Sequence, residues 1–201
     1  MPFTLLDADP PDGLAGPGFL LRPILASDAE LDYAAVMESR VELRPWEQTG
    51  WPADDFTVEA NRRDLEMLQR GHEDRTRFTY TVLDSSGTEC LGCVYVMPPD
   101  ARSFVKPGVT IAPVGDGDRR WEDYGAAVYF WVRTSRLAMQ LDRALLDALR
   151  MWFAQDWKLG RVLFVINEQA TQQVSTVESA GLQLRFTIAE PGKPGNYLAY
   201  E

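Results

Sequence analysis

The chain has 201 residues, of which 45% are hydrophobic and 25% are charged, values typical of a folded soluble domain. Its net charge of −10 argues against binding to nucleic acid or to an anionic membrane surface, because both need clusters of basic residues. The chain has no apolar run as long as a membrane span and no basic start followed by an apolar block, so we expect a cytoplasmic protein.

The N-terminal segments predict a lead-in, a strand and a helix. Residues 1–18 are rich in Pro, Gly and Asp, which predicts a flexible lead-in. The apolar stretch 19–24 predicts a short strand. Ser27 and Glu30 have the spacing of a capping box, in which each side chain accepts a backbone N–H. This pattern predicts a helix that ends near Arg40.

Two tryptophans lie in residues 43–52, which we predict to be a loop before a second helix at 57–70. Large aromatic side chains are unfavourable when exposed, so Trp46 and Trp51 either pack beneath this loop or line a binding pocket. Both interpretations stay open at the level of the sequence.

The middle of the chain predicts a β-hairpin followed by an irregular insertion. Residues 78–83 and 90–97 read as strands, and the turn residues 84–87 join them. Residues 98–120 are rich in Pro and Gly and predict an irregular insertion. Loops longer than about fifteen residues are usually functional or mobile.

Cys90 and Cys93 have the C-x-x-C spacing found in some metal and redox sites. They lie in a predicted strand, where residues three apart point to opposite faces, so we expect two structural thiols and no metal site. A reducing compartment fits this interpretation.

The strongest pattern in the chain is a strand that leads directly into a helix. Residues 126–132 are apolar without interruption, and residues 137–156 repeat apolar side chains at spacings of three and four. Thr134 or Ser135 is placed to cap the first turn of this helix. The unbonded N–H groups and the positive end of the macrodipole at such a junction favour an anionic ligand.

The C-terminal third predicts a strand, a polar helix and two further strands, at residues 161–166, 169–180, 182–188 and 196–200. The complete order is β, α, α, β, β, β, α, β, α, β, β. Antiparallel hairpins before a right-handed β-α-β crossover predict a mixed α/β sheet. Such sheets bind ligands at the ends of their strands, which again indicates the helix after the central strand.

Six short segments, in their order and spacing, resemble the GCN5-related N-acetyltransferase (GNAT) superfamily from Phe19 to Tyr200. The closest resemblance is to the branch that acetylates the N-termini of ribosomal proteins and related small amines. The segments are residues 21–23 with 28–30, 43–46, 91–94, 129–132, 144–149 and 177–182. The resemblance implies a mostly antiparallel central sheet of about seven strands with about four helices. It also implies a single domain at 19–201 that carries the insertion.

The same resemblance implies acetyl-CoA as the acyl donor and direct transfer of its acetyl group to the primary amine of a small molecule or a protein N-terminus. The pantetheine arm would lie along the strand backbone at Trp131, Val132 and Arg133. The family places the pyrophosphate on a loop with the pattern R-x-x-G-x-G/A. That loop would be Arg136, Leu137, Ala138, Met139, Gln140 and Leu141. Consecutive N–H groups at a helix start form an anion-binding nest, which agrees with this assignment.

Four positions depart from the family pattern. Met139 and Leu141 occupy the two glycine positions, while Ala127 and Val177 occupy the positions of an acidic base and a tyrosine acid in many members. Two functions therefore stay open: a transferase that uses other groups, and a non-catalytic GNAT-like ligand-binding or regulatory module with a degenerate CoA site. A third alternative is an interaction subunit that contacts its partner through residues 98–120.

Substitute groups for proton transfer are Tyr129 on the strand, Asp123 with the neighbouring Glu122 before it, and Glu38 on the first helix. The acceptor pocket would lie between the tryptophan loop, the insertion and the strand. Its walls would be Trp46, Trp51, Tyr95 and Tyr129. Aromatic walls suit a cationic or an apolar group equally. The late strands and exposed aromatics also leave a homodimer open.

Overall fold

The computed structural model describes residue 3 and residues 9–115 and 117–201, and within these ranges it contains one sheet of nine strands. The strands are β1 (Leu14–Gly16), β2 (Phe19–Pro23), β3 (Phe78–Asp84), β4 (Cys90–Met97), β5 (Thr110–Pro113), β6 (Ala126–Val132), β7 (Val162–Asn167), β8 (Leu184–Ala189) and β9 (Asn196–Tyr200). Their order across the sheet is β1-β2-β3-β4-β6-β7-β9-β8-β5. Strands β6 and β7 run parallel, and the other neighbouring pairs are antiparallel.

Seven α-helices accompany the sheet in the part of the chain that the structure describes. They are α1 (Ala29–Glu38), α2 (Arg40–Glu47), α3 (Val58–Glu73), α4 (Arg102–Val105), α5 (Thr134–Leu137), α6 (Leu141–Gln155) and α7 (Thr171–Ser179), with 3-10 turns at Ala26–Asp28 and Trp121–Asp123. None of these described helices combines the length and the apolarity needed to cross a membrane.

The mixed, mostly antiparallel sheet is confirmed, but the expected count of about seven strands and four helices is too low. The five additional elements are β1, β5, α2, α4 and α5, and none exceeds eight residues. Elements this short produce no clear hydrophobic period, which is why the sequence did not indicate them.

Helices cover both faces of the sheet. On one face α6 and α7 pack over Phe130 of β6, and Leu145 of α6 is fully buried there. On the other face α1, α2 and α3 pack over Trp131 of β6. Neighbouring residues of β6 thus point to opposite faces, as the geometry of a strand requires.

Strands β6 and β7 separate after three residue pairs, which opens the sheet at its centre. Their pairing begins at Ala126 and ends where Val128 lies beside Phe164. Strand β6 then continues beside β4 to Val132, and β7 continues beside β9 to Asn167. In the resulting wedge, the second half of β6 has no neighbouring strand of the described chain on one side.

The first part of the chain is more regular than its composition predicted. Strand β1 pairs with β2, and Phe3 is buried with its ring centroid 5.3 Å from that of Phe78. The other residues of the predicted flexible lead-in, 1, 2 and 4–8, lie outside the described residues. The capping box is wrong, because Ser27 lies inside a 3-10 turn and α1 begins without a side-chain cap.

Two segments predicted as irregular contain regular structure. Helix α2 covers the first half of the predicted 43–52 loop and includes Pro45 in its last turn. Within residues 98–120, β5 pairs antiparallel with β8, and α4 buries Phe104. The insertion therefore extends the sheet at one edge, and its description as irregular is corrected for these residues.

The two cysteines are free and buried as expected, yet they share one face of β4. A bulge explains the shared face, because Val82 pairs with Gly92 while Leu83 pairs with Cys90. The extra residue between these pairs shifts the alternation of side chains by one. The prediction that the thiols face opposite sides is wrong for this reason.

Candidate functional site

The backbone groups of Phe130 and Val132 face the wedge, beyond the point where β6 and β7 stop pairing. The N–H of Arg133 donates to Leu91 O at 2.7 Å, so residue 133 directs its backbone towards β4. Successive residues of a strand direct their backbone groups to opposite sides. Trp131 therefore also faces β4, while Phe130 and Val132 face the wedge. Of the three residues predicted to hold a pantetheine arm, Val132 meets the opening, and Phe130 was missed.

A cavity of about 210 Å³ lies in the wedge, and we call it the wedge cavity. It is bordered by β6, by the junction of α1 and α2, and by the start of α7. The side chain of Gln173 on α7 crosses the opening and donates to Phe130 O at 2.8 Å. One carbonyl of the exposed strand edge is thus bonded to a side chain that a ligand would have to displace.

The long helix begins at Leu141, later than predicted, because the backbone turns sharply at Gln140. Gln140 has a φ of 57°, and its carbonyl accepts the first α6 hydrogen bond from the Ala144 N–H at 3.0 Å. The N–H groups of residues 141–143 have no acceptor in the described part of the chain. Together with the macrodipole of α6, these donors attract an anion.

Thr134 and Ser135 do not cap α6, so that prediction is wrong. They belong to the separate short helix α5, and their N–H groups donate to Ser39 Oγ at 3.0 Å and to Glu38 Oε1 at 3.1 Å. These bonds attach α5 to the end of α1. The donors that remain available to a ligand are therefore those of α6.

The bulky residues at the predicted glycine positions leave the wedge open. Met139 is 63% exposed, and Leu141 packs in the main core. Neither lines the wedge cavity, whereas Leu137 does, and Ala138 and Gln140 are exposed. The conformation that favours glycine falls at Gln140, between the two positions that the sequence indicated.

A buried acidic side chain lies in the first turn of α6. Asp142 is 4% exposed, lines the wedge cavity and accepts a hydrogen bond from Thr176 Oγ1 of α7 at 2.7 Å. A negative charge at this place is favourable to the helix dipole. The same charge repels any anion that binds the neighbouring N–H groups. In the sequence, Asp142 lies outside the apolar repeat of residues 137–156, so the helical periodicity gives no sign of its burial.

Arg133 and Arg136 are ion-paired with two glutamates. Arg133 contacts Glu38 at 2.6 Å and Glu89 at 3.1 Å, and Arg136 also contacts Glu89. The hydrogen bond from Arg133 lowers the pKa of Glu38 to about 2. Glu38 is therefore a weak base, and Arg136 must leave Glu89 before its guanidinium can bind a phosphate.

Asp123 lies at the opposite end of β6 from the open part of the wedge. It accepts the Arg120 N–H at 2.8 Å, and this hydrogen bond lowers its pKa. The seven residues of β6 extend over roughly 20 Å at about 3.3 Å per residue. The structure thus does not bring Asp123 or the neighbouring Glu122 to the site.

A second cavity, of about 490 Å³, brings together the four aromatic side chains predicted to line an acceptor pocket. These are Trp46, Trp51, Tyr95 and Tyr129, and we call the space the aromatic cavity. The ring centroid of Trp46 lies 6.0 Å from that of Tyr95 and 6.5 Å from that of Tyr129. Trp46 also lines the wedge cavity, so its indole is a wall common to both spaces.

Charged side chains that the sequence did not single out also line the aromatic cavity. They are Glu47, Asp64, Arg77, Lys106, Glu190 and Lys193. Burial raises the pKa of Glu47, and burial also raises the pKa of Tyr129 well above its ordinary value. A carboxylate with a raised pKa is suited to accept a proton near neutral pH, while a buried tyrosine keeps its proton.

Helix α2 is fastened at its last turn, which fixes the wall between the cavities. Asn167 of β7 donates to Trp46 O at 3.3 Å, and the Tyr197 hydroxyl of β9 donates to Glu47 O at 3.2 Å. These bonds satisfy carbonyls that a helix end leaves unpaired. They use the backbone of α2, so the carboxylate of Glu47 is left to face the aromatic cavity.

This architecture is the fold of several solved acetyltransferases, among them one named as a GnaT-family acetyltransferase from Bordetella pertussis. The chain is similar to the ribosomal-protein-S5-alanine acetyltransferase from Vibrio fischeri, with 16% identity, a TM-score of 0.65 and coverage of 94% of each chain. It is similar to RimL, a ribosomal L7/L12 alpha-N-protein acetyltransferase solved with coenzyme A, with 15% identity, a TM-score of 0.66 and coverage of 94% of this chain and 96% of that chain.

The microcin C7 self-immunity acetyltransferase MccE, solved with acetyl-CoA and AMP, has 12% identity, a TM-score of 0.66 and coverage of 91% of each chain. No family model and no curated protein matches the chain. At these identities the likeness establishes the fold, and the function must be argued from the site.

Proposed function

We propose that the chain is an N-acetyltransferase that moves an acetyl group from acetyl-CoA to the primary amine of a small molecule or a peptide N-terminus. The observation that carries this proposal is the wedge cavity beside the unbonded N–H groups of residues 141–143. A donor with a polar arm and a diphosphate needs both a free strand edge and an anion site. Fold neighbours solved with coenzyme A or acetyl-CoA support the same donor.

The donor would bind along β6 and at the start of α6. Phe130 and Val132 would bond the pantetheine amides, and the N–H groups of residues 141–143 would hold the diphosphate beside the turn at 136–140. The residues present fit this group, because Met139 is exposed and leaves the turn accessible. When bound, acetyl-CoA supplies an activated acyl group and a sulfur leaving group.

The acceptor amine would enter through the aromatic cavity and meet the acetyl group beside Trp46. Glu47 would accept the proton that the ammonium must lose before its nitrogen can attack. Tyr129, which burial keeps protonated, would donate its proton to the departing sulfur, and the proton that the acetylated nitrogen then loses would restore the tyrosine. Because the two cavities adjoin at one indole, transfer would be direct and would need both substrates bound together.

Calorimetry with coenzyme A and a thiol-release assay with acetyl-CoA and a panel of amines test the proposal. We expect saturable binding of coenzyme A and thiol release that depends on both substrates. Glu47→Gln should lose most of the thiol release and keep coenzyme A affinity, whereas Glu66→Gln, at an exposed position of α3, should change neither. Absence of coenzyme A binding at millimolar concentration would refute the proposal.

A second candidate function is a binding or regulatory module that holds coenzyme A without turnover. One observation favours it: Ala127 and Val177, at the family positions of the base and the acid, are buried among apolar side chains. Saturable coenzyme A binding, with no thiol released by any amine between pH 6 and pH 9, would identify this function in place of catalysis.

A further inference from the structure

One cation in the aromatic cavity has no partner among the residues that the structure describes. Lys106 pairs with Glu190 at 2.5 Å, and Lys193 lies 3.9 Å from Glu47. The guanidinium of Arg77 lines the same cavity without a hydrogen bond or ion pair to any described residue. A guanidinium is a fixed, planar fork of donors, and its natural partner is a carboxylate or a phosphate.

The hydroxyl of Ser103 on α4 is a second polar group there for which the described part of the chain offers no partner. Its Oγ is buried and forms no hydrogen bond with the described residues, and Ser103 lines the aromatic cavity together with Arg77. Native proteins rarely leave a buried hydroxyl unpaired. Two donors in one cavity that find no acceptor among the described residues indicate an anionic ligand group.

The position of Arg77 is prepared by the neighbouring helix. Gly71 on α3 has no side chain, and a Cβ there would lie 3.1 Å from both Cγ and Nε of Arg77. Residue 77 precedes β3, where Phe78 pairs with Val96, so Arg77 lies level with Met97 of β4. The guanidinium is thus held at the end of the cavity where β3 begins.

The reacting end of the cavity lies further along the same face. Tyr95 precedes Met97 by two residues, and Cys93, which pairs with Trp131, precedes it by four. At about 3.3 Å per residue, the anion end lies roughly 7 to 13 Å from the aromatic end. An acceptor that reaches both ends must separate its amine from its anion by this distance.

We propose that Arg77 and Ser103 bind a carboxylate of the acceptor, so that the preferred substrate is a short linear amine with a carboxylate roughly 7 to 13 Å from its nitrogen. An unblocked tripeptide and a medium-length ω-amino acid both have this geometry. The inference rests on the proposed transferase function and names the substrate class of that site.

The test compares two acids with their neutral amides: trialanine with trialanine amide, and 6-aminohexanoate with 6-aminohexanamide. We expect wild-type kcat/KM to be at least tenfold higher for the better acid than for its amide. The pair that shows the larger preference tells whether the natural acceptor is a peptide or a small amino acid. Arg77→Gln should remove that preference by lowering the acid alone, and Arg77→Lys should restore part of it.

Ser103→Ala is a second variant. It should lower kcat/KM severalfold for the acid and leave kcat/KM for the amide unchanged. Arg102→Gln, an equal charge change at an exposed neighbouring position, is the matched control and should keep the preference. The proposal would be overturned if wild-type kcat/KM were equal for acid and amide. It would also be overturned if Arg77→Gln lowered kcat/KM equally for both.

A binding measurement separates this inference from the proposed function. If no amine releases thiol, the transferase proposal fails, and calorimetry of trialanine against its amide still decides the anion site. Tighter binding of the acid that disappears in Arg77→Gln supports the site, and equal binding of both ligands refutes it. Melting temperatures within a few degrees of wild type identify the variants that are folded.

Discussion

Removing the negative charge of Asp142 should tighten the binding of coenzyme A. Asp142 is buried in the first turn of α6, beside the N–H groups proposed to hold the diphosphate. A phosphate charge about one helical turn away lies at about 5.4 Å. With an effective dielectric of about 20 to 40, each such pair repels by about 1.5 to 3 kcal/mol. Asp142→Asn should therefore raise the affinity about 10- to 100-fold.

The same substitution should cost little stability. Asparagine keeps an oxygen that accepts the Thr176 hydroxyl, so the hydrogen bond to α7 survives. The loss is confined to the interaction with the helix dipole, about 0.3 to 1 kcal/mol. A small fall in melting temperature with a large gain in affinity would separate this charge effect from a general disturbance of the fold.

Calorimetry with coenzyme A and with pantetheine gives the decisive comparison. Pantetheine lacks the diphosphate, so its affinity should be the same in the wild type and in Asp142→Asn. Asp147→Asn, on the exposed side of the same helix, changes the charge equally and should leave coenzyme A binding nearly unchanged. An unchanged affinity for coenzyme A in Asp142→Asn, or an equal gain for pantetheine, would refute the diphosphate assignment.

Three further outcomes are expected. Gln173→Ala should raise coenzyme A affinity about fivefold by calorimetry, because the ligand no longer displaces a hydrogen bond of about 1 kcal/mol from Phe130 O. Glu47→Gln should lower kcat/KM by at least about 100-fold and abolish the fall in activity at acidic pH, since burial raises the pKa of Glu47 and a pH profile reports its protonation. Burial raises the pKa of Asp32 from 3.8 to about 6, so between these pH values the folded state holds a proton that the unfolded state has released. The free energy of unfolding should therefore decrease from about pH 4 to pH 6 by at most about 3 kcal/mol. Urea unfolding should show this slope in the wild type and a flat response in Asp32→Asn; a parallel slope in both would contradict it.

The junction of β6 and α6 could be predicted because both periods are long and unambiguous there. Seven apolar residues followed by a helical repeat leave few alternatives, and the structure has the strand at Ala126–Val132 and the helix from Leu141. The helix start was misplaced by four residues. A left-handed Gln140 ends the preceding turn, and glutamine carries no signal for that conformation.

The wedge had no signature in the sequence. It depends on where the pairing of β6 with β7 stops, and the apolar side chains continue past Val128 on both strands. A strand buried on both faces has the same continuous apolar sequence whether or not its edge is hydrogen-bonded to another strand. Only the resemblance to a known family indicated that a ligand would lie along this strand.

The sequence predicted the aromatic residues that line the aromatic cavity, but it did not indicate the charged residues there. Trp46, Trp51, Tyr95 and Tyr129 are large and rare, so they stood out in the sequence. Arg77 and Glu47 are ordinary surface residue types, and their enclosure follows from helix packing between distant segments. Short-range patterns cannot show that Lys106 and Lys193 find acidic partners, while Arg77 finds none within 9–115 and 117–201.

Trp46 lies between the two cavities, and its backbone carbonyl accepts a hydrogen bond from Asn167. In a transferase, a wall of this kind gives the acyl donor and the acceptor separate entrances to the site. Neither compound must wait for the other to arrive, and coenzyme A with an unreacted amine should form a stable dead-end complex. An inhibitor that joins both halves in one molecule must bend around the indole ring, which selects flexible linkers over straight ones.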